Sequence, residues 1–76
     1  MSSKLSSLNK KTKKSLTFLV PAFNEELNIE NTIRKINSYA LKNICEYEII
    51  VVDDGSTDFT AQIVESLISE FKHLKL

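Results

Sequence analysis

The chain has 76 residues, enough for at most one small domain with a modest core. With 42% hydrophobic and 26% charged residues it is not a disordered chain, and no stretch approaches the ~20 consecutive apolar residues that span a bilayer. The formal net charge of zero is unevenly spread, because Lys4, Lys10, Lys11, Lys13 and Lys14 open the chain without an acid and leave five basic residues against all ten acids in the rest.

Residues 1–14 are rich in Ser and Lys and hold no sustained period, which reads as a disordered basic leader ahead of an ordered segment over residues 15–76. The plain reading of this leader is a solvated tail. The alternative is weak, salt-sensitive contact of Lys10, Lys11, Lys13 and Lys14 with an anionic membrane. "LTFLV" (16–20) is a short apolar run that suits a strand covered on both faces. Pro21 ends it, having no N–H to give to a ladder. A secretory signal is rejected: Pro21 interrupts the apolar core, and "NEE" stands where a small-residue cleavage site would be.

A helix is expected to start near Asn24, a good N-cap, with Glu25 and Glu26 complementing the positive end of its dipole. Ile29, Ile33, Ile36 and Ala40 recur at helical spacing and mark its buried face, and the helix should stop near Leu41 to Asn43. Cys45 is the sole cysteine, so no internal disulfide forms; His73 is the sole histidine, and nothing in the sequence ties it to Cys45. A second apolar run, within "YEIIVVDD", predicts another doubly covered strand over about Glu48 to Val52. Gly55 then allows a tight turn, and Ser56, Thr57 or Asp58 can cap a second helix buried through Val64, Leu67, Ile68 and Phe71. "HLKL" at 73–76 suits the start of a third strand.

Buried strands alternating with amphipathic helices imply a parallel α/β sheet with right-handed crossovers. If the first two strands pair, their carboxyl ends lie about 4.8 Å apart, and "PAFNEE" and "DDGSTD" become neighbouring loops. That edge of an open α/β sheet is where ligands bind. Glu25, Asp53 and Asp54 offer acceptors there and Phe23 an apolar plate. These suit sugar hydroxyls, the ring N–H of a base or a metal ion better than bare phosphate, and the glycine-rich phosphate loops are missing. Helix capping alone is the competing explanation for so many Asn, Asp, Ser and Thr residues, although a single cap needs only one acceptor, not two adjacent aspartates.

"FLVPAFNEELNIENTI" followed by "YEIIVVDDGSTD" closely resembles the start of family 2 glycosyltransferases. The wording is similar to that of polyprenyl-phosphate sugar transferases such as dolichol-phosphate mannose synthase. The resemblance implies the βαβα(β) start of a nucleotide-diphospho-sugar transferase fold (GT-A, Rossmann-like), with its parallel sheet incomplete. It implies that Pro21, Phe23, Glu25, Val52 and Asp54 line the donor nucleotide pocket, with Asp54 accepting from the base and Asp53 as the neighbouring acid. The donor implied is a UDP- or GDP-linked sugar and the acceptor a polyprenyl phosphate or a saccharide; the location implied is cytoplasmic, with the cytoplasmic face of a membrane as the alternative, and nucleic acid is not an expected partner. Phe23 departs from the Tyr more often found there, and Phe59 stands where a small residue or Asn is common.

Family members also carry an Asp-X-Asp motif holding Mg²⁺ or Mn²⁺ on the donor diphosphate, and a later Asp or Glu as catalytic base. This sequence has no Asp-X-Asp, and Asp53-Asp54 is not that motif, so no catalytic or metal residue is assigned and independent activity is not expected. Two other readings stand beside this one. The chain could be a non-catalytic nucleotide-binding or partner-docking module. A signalling receiver is disfavoured, because the acid pair follows the second strand and not the first.

Overall fold

The computed structural model describes residues 12–76, with side chains from Ser15 onward. Strand β1 runs Thr12–Ala22, helix α1 Ile29–Asn43, strand β2 Ile44–Asp53, helix α2 Thr60–Ile68 and strand β3 Leu74–Lys75. The three strands form one parallel sheet in the order β1-β2-β3, as the alternation of elements predicts.

The borders differ from the sequence reading in ways that have causes. β1 starts at Thr12, inside the segment assigned to the leader, and its register with β2 shifts between Thr12 and Ser15. Lys13 and Lys14 therefore belong to the strand, while residues 1–11, Lys10 and Lys11 among them, lie outside the described residues. β2 starts four residues before Glu48, because parallel pairing with β1 continues through Ser15↔Glu46 and Leu16↔Tyr47. α1 starts at Ile29, not near Asn24, and its N-cap residue Asn28 makes no side-chain cap. The chain from Asn24 to Asn28 is a separate turn, in which the N–H groups of Asn28 and Ile29 both donate to the Glu25 carbonyl (2.9 and 2.8 Å).

One core joins the sheet to both helices. Ile29, Ile33 and Ala40 of α1 and Val64 and Leu67 of α2 close on Ala22, Tyr47, Ile49, Val51 and Leu74, with Ile36 and Phe71 partly buried beside them. Ile68, expected inside, is exposed. Arg34 ties α1 to the segment after α2. Its guanidinium donates to Glu30 (2.9 Å) and in bidentate fashion to Glu70 (2.8 and 3.0 Å), and it lies 5.1 Å over the Phe71 ring. About one turn further along α1 the Tyr47 hydroxyl donates to Asn37 (2.7 Å), and the Tyr47 ring packs 4.5 Å from that of His73.

The expectation that both strands are covered on both faces is not met. The other face carries Leu19, Pro21, Ile50 and Val52, of which Leu19 is 65% and Val52 47% exposed. Strand order explains this. In a sheet that progresses β1-β2-β3 in one direction, successive right-handed crossovers lay both helices on the same face. Helices reach the second face only where the order of strands reverses.

Candidate functional site

Parallel pairing places the two loops side by side at the carboxyl edge. Pro21 is the register partner of Val52, and Ala22 that of Asp53; the Asp54 N–H extends the pairing by donating to the Ala22 carbonyl (2.9 Å). Pro21 and Val52 are thus neighbours on the uncovered face, and Phe23, 55% exposed, follows directly from β1. Glu25 and Asp54 are exposed, while Asp53 is half-buried and accepts a short hydrogen bond from the Ser56 hydroxyl. The six residues singled out in the sequence therefore share one edge of the sheet. They form an open shelf there and no enclosed cavity. Glu25 alone of the six lines the nearby hollow of about 350 Å³, with Asn24, Glu26, Leu27, Asn28, Thr57 and Asp58.

Most of the remaining polar groups in the two loops are spent on each other. Asn24 adopts a φ of +52°, a left-handed conformation that Asn tolerates better than most residues. Its N–H donates to the Ser56 hydroxyl (2.8 Å), and its Oδ1 accepts from the Thr57 N–H (2.8 Å). The Glu26 N–H donates to Asp58 Oδ2 (3.1 Å), and in return the Phe59 N–H donates to Glu26 Oε1 (2.9 Å). Thr60 is fully buried, and its hydroxyl accepts from the Glu25 N–H (2.8 Å) while donating to Asp58. Gly55, at φ +79°, provides the turn that a side chain would strain.

Asp58 caps α2 in effect, since its Oδ1 accepts from the Thr60 N–H (2.9 Å), although the N-cap position itself falls on Phe59. Partial desolvation opposes its ionisation. Hydrogen bonds from the Thr60 hydroxyl and from the N–H groups of Thr60, Glu26 and Asp58 itself outweigh that and hold the carboxyl below its ordinary range. Sequence reading found the capping role of 56–58 and missed the links across to Asn24, Glu26 and the buried Thr60. The one available signal was an excess of short acceptors in both loops over what two helix caps require.

No group of three or more His, Cys, Asp or Glu side chains able to hold a metal ion exists among the described residues. A second hollow, of about 360 Å³, lies at the amino end of the strands with Cys45, Glu46 and His73 in its wall, far along the sheet from the two loops. Among the described residues no helix is long and apolar enough to cross a membrane.

The profile of Glycosyl transferase family 2 matches residues 17–76, the span from the middle of β1 through both loops to β3. The chain belongs to that family. Among curated relatives, a dolichyl-phosphate beta-glucosyltransferase of Dictyostelium discoideum is 38% identical over 60 residues, covering 72% of this chain and 18% of the relative. An undecaprenyl-phosphate 4-deoxy-4-formamido-L-arabinose transferase of Pseudomonas fluorescens is 34% identical over 55 residues, covering 72% of this chain and 16% of the relative. A dolichyl-phosphate beta-glucosyltransferase of Trichomonas vaginalis is 42% identical over 62 residues, covering 75% of this chain and 18% of the relative. The likeness to polyprenyl-phosphate sugar transferases read from the two motifs is therefore met by relatives of that type. The family 2 chain described here spans less than a fifth of the length of these three relatives. No solved structure gives a significant match.

Proposed function

We propose that this family 2 chain recognises the nucleotide of a UDP- or GDP-linked sugar, within a glycosyltransferase that passes the sugar to a polyprenyl phosphate or saccharide at the cytoplasmic face of a membrane. The observation that carries the reading is the register Pro21↔Val52 and Ala22↔Asp53, which puts the two family motifs on one ligand-binding edge. Phe23 and the Pro21–Val52 shelf offer apolar surface to a base. Asp54 accepts from the ring N–H of the base, Glu25 accepts from ribose hydroxyls, and Asp53 borders the base as the weaker acceptor, being already engaged by Ser56. These residues bind and orient the donor. Transfer with inversion also needs a base for the acceptor hydroxyl and positive charge at the leaving diphosphate, and none of the six residues supplies either.

The test is amide NMR of the chain titrated with UDP and with GDP in the presence of Mg²⁺. Shifts at Phe23, Glu25 and Asp54 with one nucleotide support the reading and name the donor class. Replacing Glu25 or Asp54 by Ala should then remove one charged hydrogen bond, about 1.5–3 kcal/mol, and weaken binding roughly tenfold or more. A folded chain indifferent to both nucleotides rejects it. The uncovered apolar face favours a second reading, a partner-docking module, and concentration-dependent association through that face without nucleotide binding would support it.

A further inference from the structure

We infer that Asn24, Glu26 and Asp58 form a reciprocal clasp that fixes the two loops as one rigid unit, making them positioning residues for the nucleotide shelf. The inference rests on the proposed nucleotide reading for its purpose, and on the hydrogen bonds alone for its existence. The bonds run in both directions. The first loop gives its Asn24, Glu25 and Glu26 N–H groups to Ser56, Thr60 and Asp58, and the second gives its Thr57 and Phe59 N–H groups to Asn24 and Glu26. Five backbone donors at the starts of two helical segments are thereby satisfied by side chains of the opposite segment, where an ordinary capping box would use side chains of its own.

The consequence falls on the residues between the clasp points. Phe23 precedes Asn24, and Glu25 lies between Asn24 and Glu26, so its backbone is held on both sides while its side chain stays exposed. Asp53 is drawn to Ser56, which also holds Asn24. Asn24 Oδ1 and Glu26 Oε1 are committed to backbone N–H groups, so their contribution to a ligand is indirect: they set the gap between Glu25 and the Asp53–Asp54 pair. Preorganisation of this kind raises affinity by removing the ordering cost from the binding step.

The test pairs site-resolved amide hydrogen exchange with nucleotide titration on the full chain. Asn24→Gly keeps the left-handed backbone and deletes the acceptor, and Asn24→Asp restores an acceptor. Glu26→Ala deletes the acceptor for Phe59, and Glu26→Gln keeps an amide oxygen at Oε1. In the wild type the Thr57 and Phe59 amides should be protected. Asn24→Gly should expose Thr57 and Glu26→Ala should expose Phe59, each by at least tenfold, with Ile49 and Val51 amides unchanged. Affinity for the preferred nucleotide should fall about tenfold in both and recover in Asn24→Asp and Glu26→Gln.

If Glu26→Gln binds nucleotide as poorly as Glu26→Ala while Phe59 is protected again, the carboxylate acts on the ligand directly and the positioning role of Glu26 is overturned. Unprotected Thr57 and Phe59 amides in the wild type also overturn it, as does loss of core protection together with loop protection. If the wild type binds neither UDP nor GDP, the nucleotide reading falls on its own. Exchange still decides the clasp in that case: loss confined to the partner amide supports it, and no change overturns it.

Discussion

The two faces of the sheet are built from the same strands and have opposite fates. On one, Ile49 and Val51 of β2 meet Ile33 of α1 and Val64 of α2 with essentially no exposure. On the other, Leu19, Pro21 and Val52 lie open near the loops with Ile50 half-buried beside them, and farther down the face Lys75 pairs with Glu48 (3.0 Å). Burial on the first face supplies the cohesion of a chain this short. The second face contributes little to stability and is free to present surface to a ligand or partner.

The largest effect is expected in the packed face. Ile33→Ala removes a fully buried side chain between α1 and the sheet and should cost about 2–5 kcal/mol, enough to unfold much of a marginally stable small domain. Urea denaturation followed by circular dichroism measures it, and retention of a wild-type midpoint would mean that this face is not the core. Tyr47→Phe, at the polar end of the same face, removes the bond to Asn37 and should cost about 0.5–1.5 kcal/mol in the same assay.

Acid should act more weakly, at the rim. The paired Arg34 guanidinium holds the Glu70 carboxyl below its ordinary range, and Asp58 is lowered by its hydrogen bonds. Both groups have folded values below their unfolded values of about 4, so the stability they contribute is complete above that range and is lost as pH falls through the folded values. Exposed ion pairs contribute little, so the drop should be shallow, and it should flatten further in Asp58→Asn when denaturation midpoints are compared between about pH 6 and about pH 2.5, on either side of the ordinary carboxylate range. The smallest effect belongs to the open face, where Leu19→Ser should change stability by less than about 0.5 kcal/mol. A markedly larger cost in the same melts would mean that something covers this face in solution, and sedimentation at two concentrations would show whether it is a second copy.

Much of this architecture is legible in the sequence. The period of Ile29, Ile33, Ile36 and Ala40 gave α1, the apolar runs gave β1 and β2, and their polar ends gave a shared ligand edge. The start of α1 was misplaced because Asn24 looks like an N-cap by residue type, whereas its left-handed φ and its bond to Thr57 commit it to the other loop. Coverage was misjudged because an apolar run does not say whether a second layer exists. The alternation of Glu46 and Glu48 with Tyr47 and Ile49 carried a hint of one solvated face.

The sequence by itself determined the order of elements, the apolar stripes of the helices and the family, because these depend on local periodicity and on short motifs. Tertiary structure decided which face of the sheet is covered, which residues the loops use to hold each other, and that the buried Thr60 hydroxyl links them. The physical reason is range. Periodicity is set over a few residues of chain, whereas the bonds from Asn24 to Thr57 and from Glu26 to Phe59 join segments more than thirty residues apart and exist only once parallel pairing has placed the strand ends side by side.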